Sequence, residues 1–244
     1  MTYGLLFLAT LSACRKAEIH PSALLGAVPR DVTLWRTVVL LVPVMFCFAA
    51  MSLWATAYAA SWIAPDFAAY LFKEQRDLGP LKSLGKSGSA MLVFFVVVIG
   101  PIVEEFVFRG LVLRRWKAKS GLWRGVIGSS FVFALLHPPF WIGAMVVGVF
   151  LSMLYLSTRS LYVPIVFHAL YNGLVTLATI AAERLGDPEK ATSLVEFRGQ
   201  WIGEVALLVI SGAIVVATIR RLSARVHEQR VQADNPYNTE SATG

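Results

Sequence analysis

The chain has 244 residues, 57% of them hydrophobic and only 15% charged, with a mean hydropathy of +0.64; soluble domains run nearer 45 to 50% apolar and about 25% charged. Such a balance leaves no soluble domain of useful size and predicts an all-α fold, a polytopic transmembrane bundle of about seven helices (six to eight), each span taking around 20 residues plus a loop. The net charge of +7 and pI near 9.6 do not argue for nucleic acid, because the basic residues sit beside apolar segments, where they orient helices and meet anionic lipid.

In chain order, the opening MTYGLLFLATLSAC is apolar for about fourteen residues, short of a comfortable span. Leu11-Ser12-Ala13-Cys14 resembles a lipobox, but no Lys or Arg precedes the run while Arg15 and Lys16 follow it, the reverse of a signal peptide. The expectation is a short or incomplete first helix. Cys14 and Cys47 lie in or at the end of apolar segments without a partner motif, which makes both packing residues.

A polar loop at 15–33 leads to a second span over about Leu34 to Ala64, with Trp54, Tyr58 and Trp62 towards one interface. Residues 65–89, rich in charge, Gly and Pro, read as the longest interior loop. The third span, Ala90 to Leu113, is followed by the basic run Arg114, Arg115, Lys117, Lys119 and Arg124. The fourth runs to His137 and stops at Pro138-Pro139, the fifth covers about Phe140 to Ser157, and the sixth covers Leu161 to Ala182. A net acidic loop follows, then a last span from Trp201 to Ile219 and a tail carrying Arg220, Arg221, Arg225 and Arg230 that is expected to be disordered. The positive-inside rule then places the N-terminus outside and the C-terminus in the cytoplasm. The organisation is therefore N-terminal segments and loops at 1–89, a helical core at 90–182, a loop and last helix at 183–219, and a basic tail at 220–244.

The third span, with its PIVEEFVFRGLVL stretch, carries Glu104, Glu105 and Arg109. Charge at bilayer depth costs several kcal/mol unless paired or hydrated, so it marks a site. Glu105 and Arg109 are four apart and can pair on one helical face, which leaves Glu104, about 100° round the helix, to point elsewhere. His137, His168 and Asn172 are the remaining polar residues within or at the ends of the central apolar segments. Singly, each reads as an interhelical contact; together they concentrate two carboxylates, an arginine, two imidazoles and an amide where each is costly. A carboxylate in a low-dielectric pocket is suited to take a proton from water, His137 can orient that water, and His168 with Asn172, four apart, can donate to an oxyanion. The residues point to hydrolysis of an acyl bond within the membrane.

Glu104 to Arg109 reads EExxxR, Phe133 to His137 reads FxxxH, and His168 to Asn172 reads HxxxN. In order and spacing these resemble the three motifs of the CAAX prenyl endopeptidase type II and bacteriocin-processing (CPBP, abortive-infection) family of intramembrane proteases, over about Leu92 to Leu174. The resemblance implies that residues 90–182 are the catalytic core, that Glu104 activates water with help from His137, that His168 and Asn172 form the oxyanion hole, and that Glu105 and Arg109 are structural or position substrate. It implies a membrane-anchored protein or peptide as substrate, cleaved near its C-terminus, and a multi-pass protein of the bacterial cytoplasmic membrane. No metal is expected; the alternative is zinc held by Glu104, His137 and His168, although no HExxH helix is present. The competing function is a non-catalytic membrane scaffold or bacteriocin-immunity factor that binds a peptide or partner in the same cavity, and more remotely a transporter with Glu104 and His168 as a proton relay.

Overall fold

A computed structural model of the chain describes residues 24–76, 85–185, 197, 199 and 201–233. The short first helix expected at 1–14 lies outside the described residues. Those described form seven helices and no strand: α1 Val32–Ile63, α2 Pro65–Arg76, α3 from Gly85 through Ser120, α4 Leu122–Leu135, α5 Trp141–Thr158, α6 Tyr162–Leu185 and α7 Ile202–Ala233. Five of them, α1, α3, α5, α6 and α7, are long and apolar enough to cross a membrane. The protein is thus an all-α helical bundle of membrane-spanning type. At 14 residues α4 rises only about 21 Å, less than the roughly 30 Å of hydrocarbon, so the expected fourth span is a short one.

The bundle is built around α5. Two-thirds of its apolar stretch is buried, against 11% for α6 and α7, and it packs on α1, α3, α4, α6 and α7. Small residues let the neighbours approach: a Cβ at Gly148 would stand 2.9 Å from the Ser130 Cβ of α4, and one at Gly143 would stand 3.0 Å from the Ala49 Cβ of α1. Phe150, Leu151 and Leu154 on α5 join Val38, Val42 and Met45 on α1 and Val163 and Phe167 on α6 in one buried apolar cluster. The i, i+4, i+7 spacing of the α1 members puts them on a single stripe, while the outward-facing Val39, Leu40 and Ile63 remain exposed, as lipid-facing positions should.

Local chemistry sets the helix ends. Asp31 caps α1 by accepting from the Thr33 N–H at 2.8 Å, and α1 stops at Ala64, the residue before Pro65, where the proline ring disfavours helical geometry. Pro65 then opens α2, a position where its missing N–H costs nothing. The first part of the loop expected at 65–89 is therefore helical. Gly121, at φ 91, ends α3 and starts α4, a conformation that a residue without Cβ adopts freely.

Two differences from the sequence expectation lie beyond the apolar stretches. Helix α3 continues from Leu113 through the basic run to Ser120 and packs there on α4, with a Cβ at Gly125 meeting the Lys117 backbone at 2.6 Å. The tail expected to be disordered is helical as far as Ala233; residues 234–244 lie outside the described residues. Its order has a packing cause: Val226 is buried in the cluster with Leu113, Met153 and Leu161, and the Gln229 side-chain amide donates to the Ser157 carbonyl at 2.9 Å.

Candidate active site

Helix α3 is not α-helical throughout. Phe95–Ile99 and Phe106–Leu113 are π-helical, and between them Gly100–Glu105 is α-helical. Wider turns of this kind are rare and frequent at functional sites. Here they flank the two carboxylates, and each shifts the angular position of the residues C-terminal to it.

Glu105 and Arg109 make the ion pair that their spacing predicts, Nη1 donating to Oε1 at 2.7 Å, with 1% of the Arg109 and 0% of the Glu105 side chain exposed. The pair does more than neutralise itself. Arg109 Nη2 donates to the Gly148 carbonyl of α5 at 3.1 Å, and the guanidinium carbon sits 4.7 Å from the Phe133 ring centroid on α4, within cation–π range. Glu105 Oε1 also accepts from His168 Nδ1 of α6 at 2.8 Å. One buried pair on α3 therefore reaches α4, α5 and α6. The Glu105–His168 bond had no signal in the spacing of either motif.

Glu104 points away from that pair. Its Oε2 lies 3.7 Å from His137 Nε2 and 3.8 Å from His168 Nε2, is buried, and has no hydrogen-bond partner among the described residues. The two histidines reach it from different elements, His168 from α6 and His137 from the turn that closes α4 before Pro138-Pro139. His137 Nδ1 donates to the Phe133 carbonyl at 2.7 Å, so in the neutral ring Nε2 carries the lone pair. Glu104 Oε2 and His137 Nε2 are then two acceptors side by side, an arrangement suited to the two protons of one water. His137, a third exposed, leaves a route from outside. Phe133 forms a shared wall, its ring 4.3 Å from that of His137, 5.8 Å from that of His168 and 5.3 Å from that of Phe108.

Asn172 stands one turn beyond His168 on α6. Its amide nitrogen donates to the Val96 carbonyl of α3 at 2.9 Å, a backbone partner that side-chain motifs cannot reveal. An amide nitrogen has two N–H groups, so a second is left for another acceptor. Glu104, Glu105, His137 and His168 thus converge directly, Arg109 is joined to them through Glu105, and Asn172 flanks them at the α3–α6 seam.

Zinc bound tetrahedrally at about 2.0–2.2 Å holds its donor atoms roughly 3.3–3.6 Å apart. The Glu104–histidine separations of 3.7 and 3.8 Å exceed this, and among the described residues no group of three or more His, Cys, Asp or Glu is disposed to hold a metal ion.

Residues 86–174 match the family model "Type II CAAX prenyl endopeptidase Rce1-like", a stretch that contains all six of these residues. The chain is also similar to the membrane-embedded CAAX protease MroQ of Staphylococcus aureus (strain USA300), 37% identical over 98 residues. That alignment covers 36% of this chain and 38% of the relative, so the chain matches well under half of the relative's length. No solved structure matches.

Proposed function

We propose that the protein, whose residues 86–174 match the Rce1-like type II CAAX prenyl endopeptidase model, is an intramembrane endopeptidase that cleaves a membrane-associated protein or peptide near its C-terminus. The substrate class is that suggested by the family description and by the name of the relative. The observation that carries the reading is the buried, unpartnered Glu104 Oε2 facing the Nε2 atoms of two histidines from two other segments. A structural ion pair needs no such convergence; a water to be deprotonated does.

In the reaction, a water held by Glu104 and His137 gives a proton to the Glu104 carboxylate as its oxygen attacks the scissile carbonyl carbon. The carbonyl becomes an oxyanion, which accepts from His168 Nε2–H and the second N–H of Asn172. His168 acts in its doubly protonated form, with Nδ1–H on Glu105. Each such donor is typically worth 10²–10³ in rate. The tetrahedral intermediate collapses with cleavage of the C–N bond, and the proton on Glu104 passes to the leaving amine. Glu105 positions His168, and Arg109 offsets the Glu105 charge. No metal takes part in this scheme. The protein resides in the bacterial cytoplasmic membrane, with the basic ends of α3 and α7 in the cytoplasm.

The test compares host membranes containing wild type or Glu104→Gln by mass spectrometry of peptide C-termini. Glutamine keeps the volume, and because Glu104 Oε2 has no hydrogen bond among the described residues to lose, the variant should accumulate normally. New termini that depend on Glu104 establish the protease and name its substrate. Identical peptide sets at equal protein levels would refute catalysis and favour a scaffold or immunity factor.

A further inference from the structure

We infer that Pro101 is a positioning residue for the proposed reaction: by withholding an N–H it frees the Val96 carbonyl, which then fixes the Asn172 amide. The inference rests on the reading that Asn172 donates to the oxyanion, and its starting point is the hydrogen bonding of α3. In an α-helix the Val96 carbonyl would accept from the Gly100 N–H, four residues on. Through the π-helical stretch that N–H is instead given to Phe95, five residues back. With the turn so widened, the next donor due at Val96 is the N–H of residue 101. Residue 101 is proline and has none. The carbonyl is thereby denied both of its possible helical partners, and inside a membrane an orphaned carbonyl costs several kcal/mol unless a side chain meets it.

Asn172 meets it at 2.9 Å from α6. The exchange has a directional consequence. Asparagine presents an oxygen and a nitrogen of nearly equal size, and either could face the site after a half-turn of the amide. A carbonyl accepts only, so it selects the nitrogen. With the nitrogen held at Val96, the second hydrogen of the same NH₂ remains for an acceptor. The reversed amide would offer an oxyanion a repelling oxygen.

The packing agrees with this division of labour. Helix α6 lies against both the π-helical stretch 95–99 and the segment 100–105 that carries the carboxylates. Pro101 is buried there, immediately before the turn that holds Glu104. A proline within a helix is ordinarily a cost of about 3 kcal/mol; here its effect is to supply an acceptor at a fixed place beside the candidate site.

The experiment is a double-mutant cycle with Pro101→Ala and Asn172→Ala, read as the rate at which Glu104-dependent peptide termini appear in host membranes per unit of folded enzyme. Alanine restores the N–H, lets the helix satisfy Val96 internally and releases the amide. P101A should lower the rate by between about tenfold and the roughly 10²–10³ of losing the donor altogether. In the N172A background P101A should have no further effect. No loss in P101A, or the same fold-loss in both backgrounds, overturns the inference and makes Pro101 purely structural. N172A with wild-type turnover refutes the donor role of Asn172 and the inference with it, whereas absence of any Glu104-dependent product refutes the protease reading. Where P101A does not accumulate, P101S carries the same test, because any residue other than proline restores the N–H.

Discussion

Replacing Arg109 with methionine removes the charge while keeping most of the volume of a fully buried side chain. Three contacts go with it: the 2.7 Å ion pair to Glu105, the 3.1 Å bond to the Gly148 carbonyl and the cation–π contact on Phe133. They are unequal. The Gly148 carbonyl keeps a donor in the Ser152 hydroxyl at 2.8 Å, so its loss is small, and the cation–π contact is worth on the order of 1 kcal/mol. The large term is Glu105, a carboxylate with no exposed surface that loses its arginine and keeps His168 Nδ1–H as its partner among the described residues. Breaking a buried pair from one side costs about 3 to 5 kcal/mol. At roughly 2 to 4 °C per kcal/mol for a chain of this size, the expected fall in Tm is about 6 to 20 °C, with a matching fall in steady-state level. The deficit lies in the buried carboxylate deprived of its arginine, so Glu105→Gln added to Arg109→Met should recover at least half of it. The assay is thermal unfolding of detergent-purified protein alongside quantitative blotting of membranes. R109M with wild-type Tm and level, or a double variant no more stable than R109M, would refute the argument that the pair is structural.

Turnover should survive metal chelators, EDTA and 1,10-phenanthroline alike, measured on the Glu104-dependent product; inhibition reversed by added zinc would assign Glu104, His137 and His168 to a metal instead. Gly148→Ala places a Cβ 2.9 Å from the Ser130 Cβ and 3.1 Å from its Cα, so it should cost about 1–3 kcal/mol in unfolding measurements and reduce turnover by moving the carbonyl that receives Arg109. Gly173→Ala is the control: its nearest contact is Val97 Cγ1 at an ordinary 3.6 Å, and a stability loss as large as that of G148A would contradict the close approach of α5 to α4 as the cause.

Sequence alone determined whatever depends on neighbours along one helix. The apolar stretches located the five long membrane-spanning helices, although α3 and α7 run on past them, because burial in lipid acts on each segment by itself. The Glu105–Arg109 pair was legible for the same reason, since residues four apart share a face whatever the helix packs against. The three motifs named the polar residues and lie within the stretch 86–174 that matches the family model, but a motif carries no distance between helices.

Tertiary structure decided how those faces meet. That Glu104 lies between His137 and His168, and that His168 also reaches Glu105, depends on the rotation of α3 against α4 and α6. The two π-helical stretches alter that rotation. Backbone partners were equally hidden: the Val96 carbonyl that holds Asn172 has no side-chain signature, and the one clue in the sequence was Pro101, which removes a donor one turn away. Packing likewise made helix of residues 220–233, whose charge reads as a solvated tail. Burial of Val226 and the Gln229 bond to Ser157 supply contacts that no window of the tail contains. Local spacing fixes which groups share a helix face, and only the assembled bundle fixes what that face confronts.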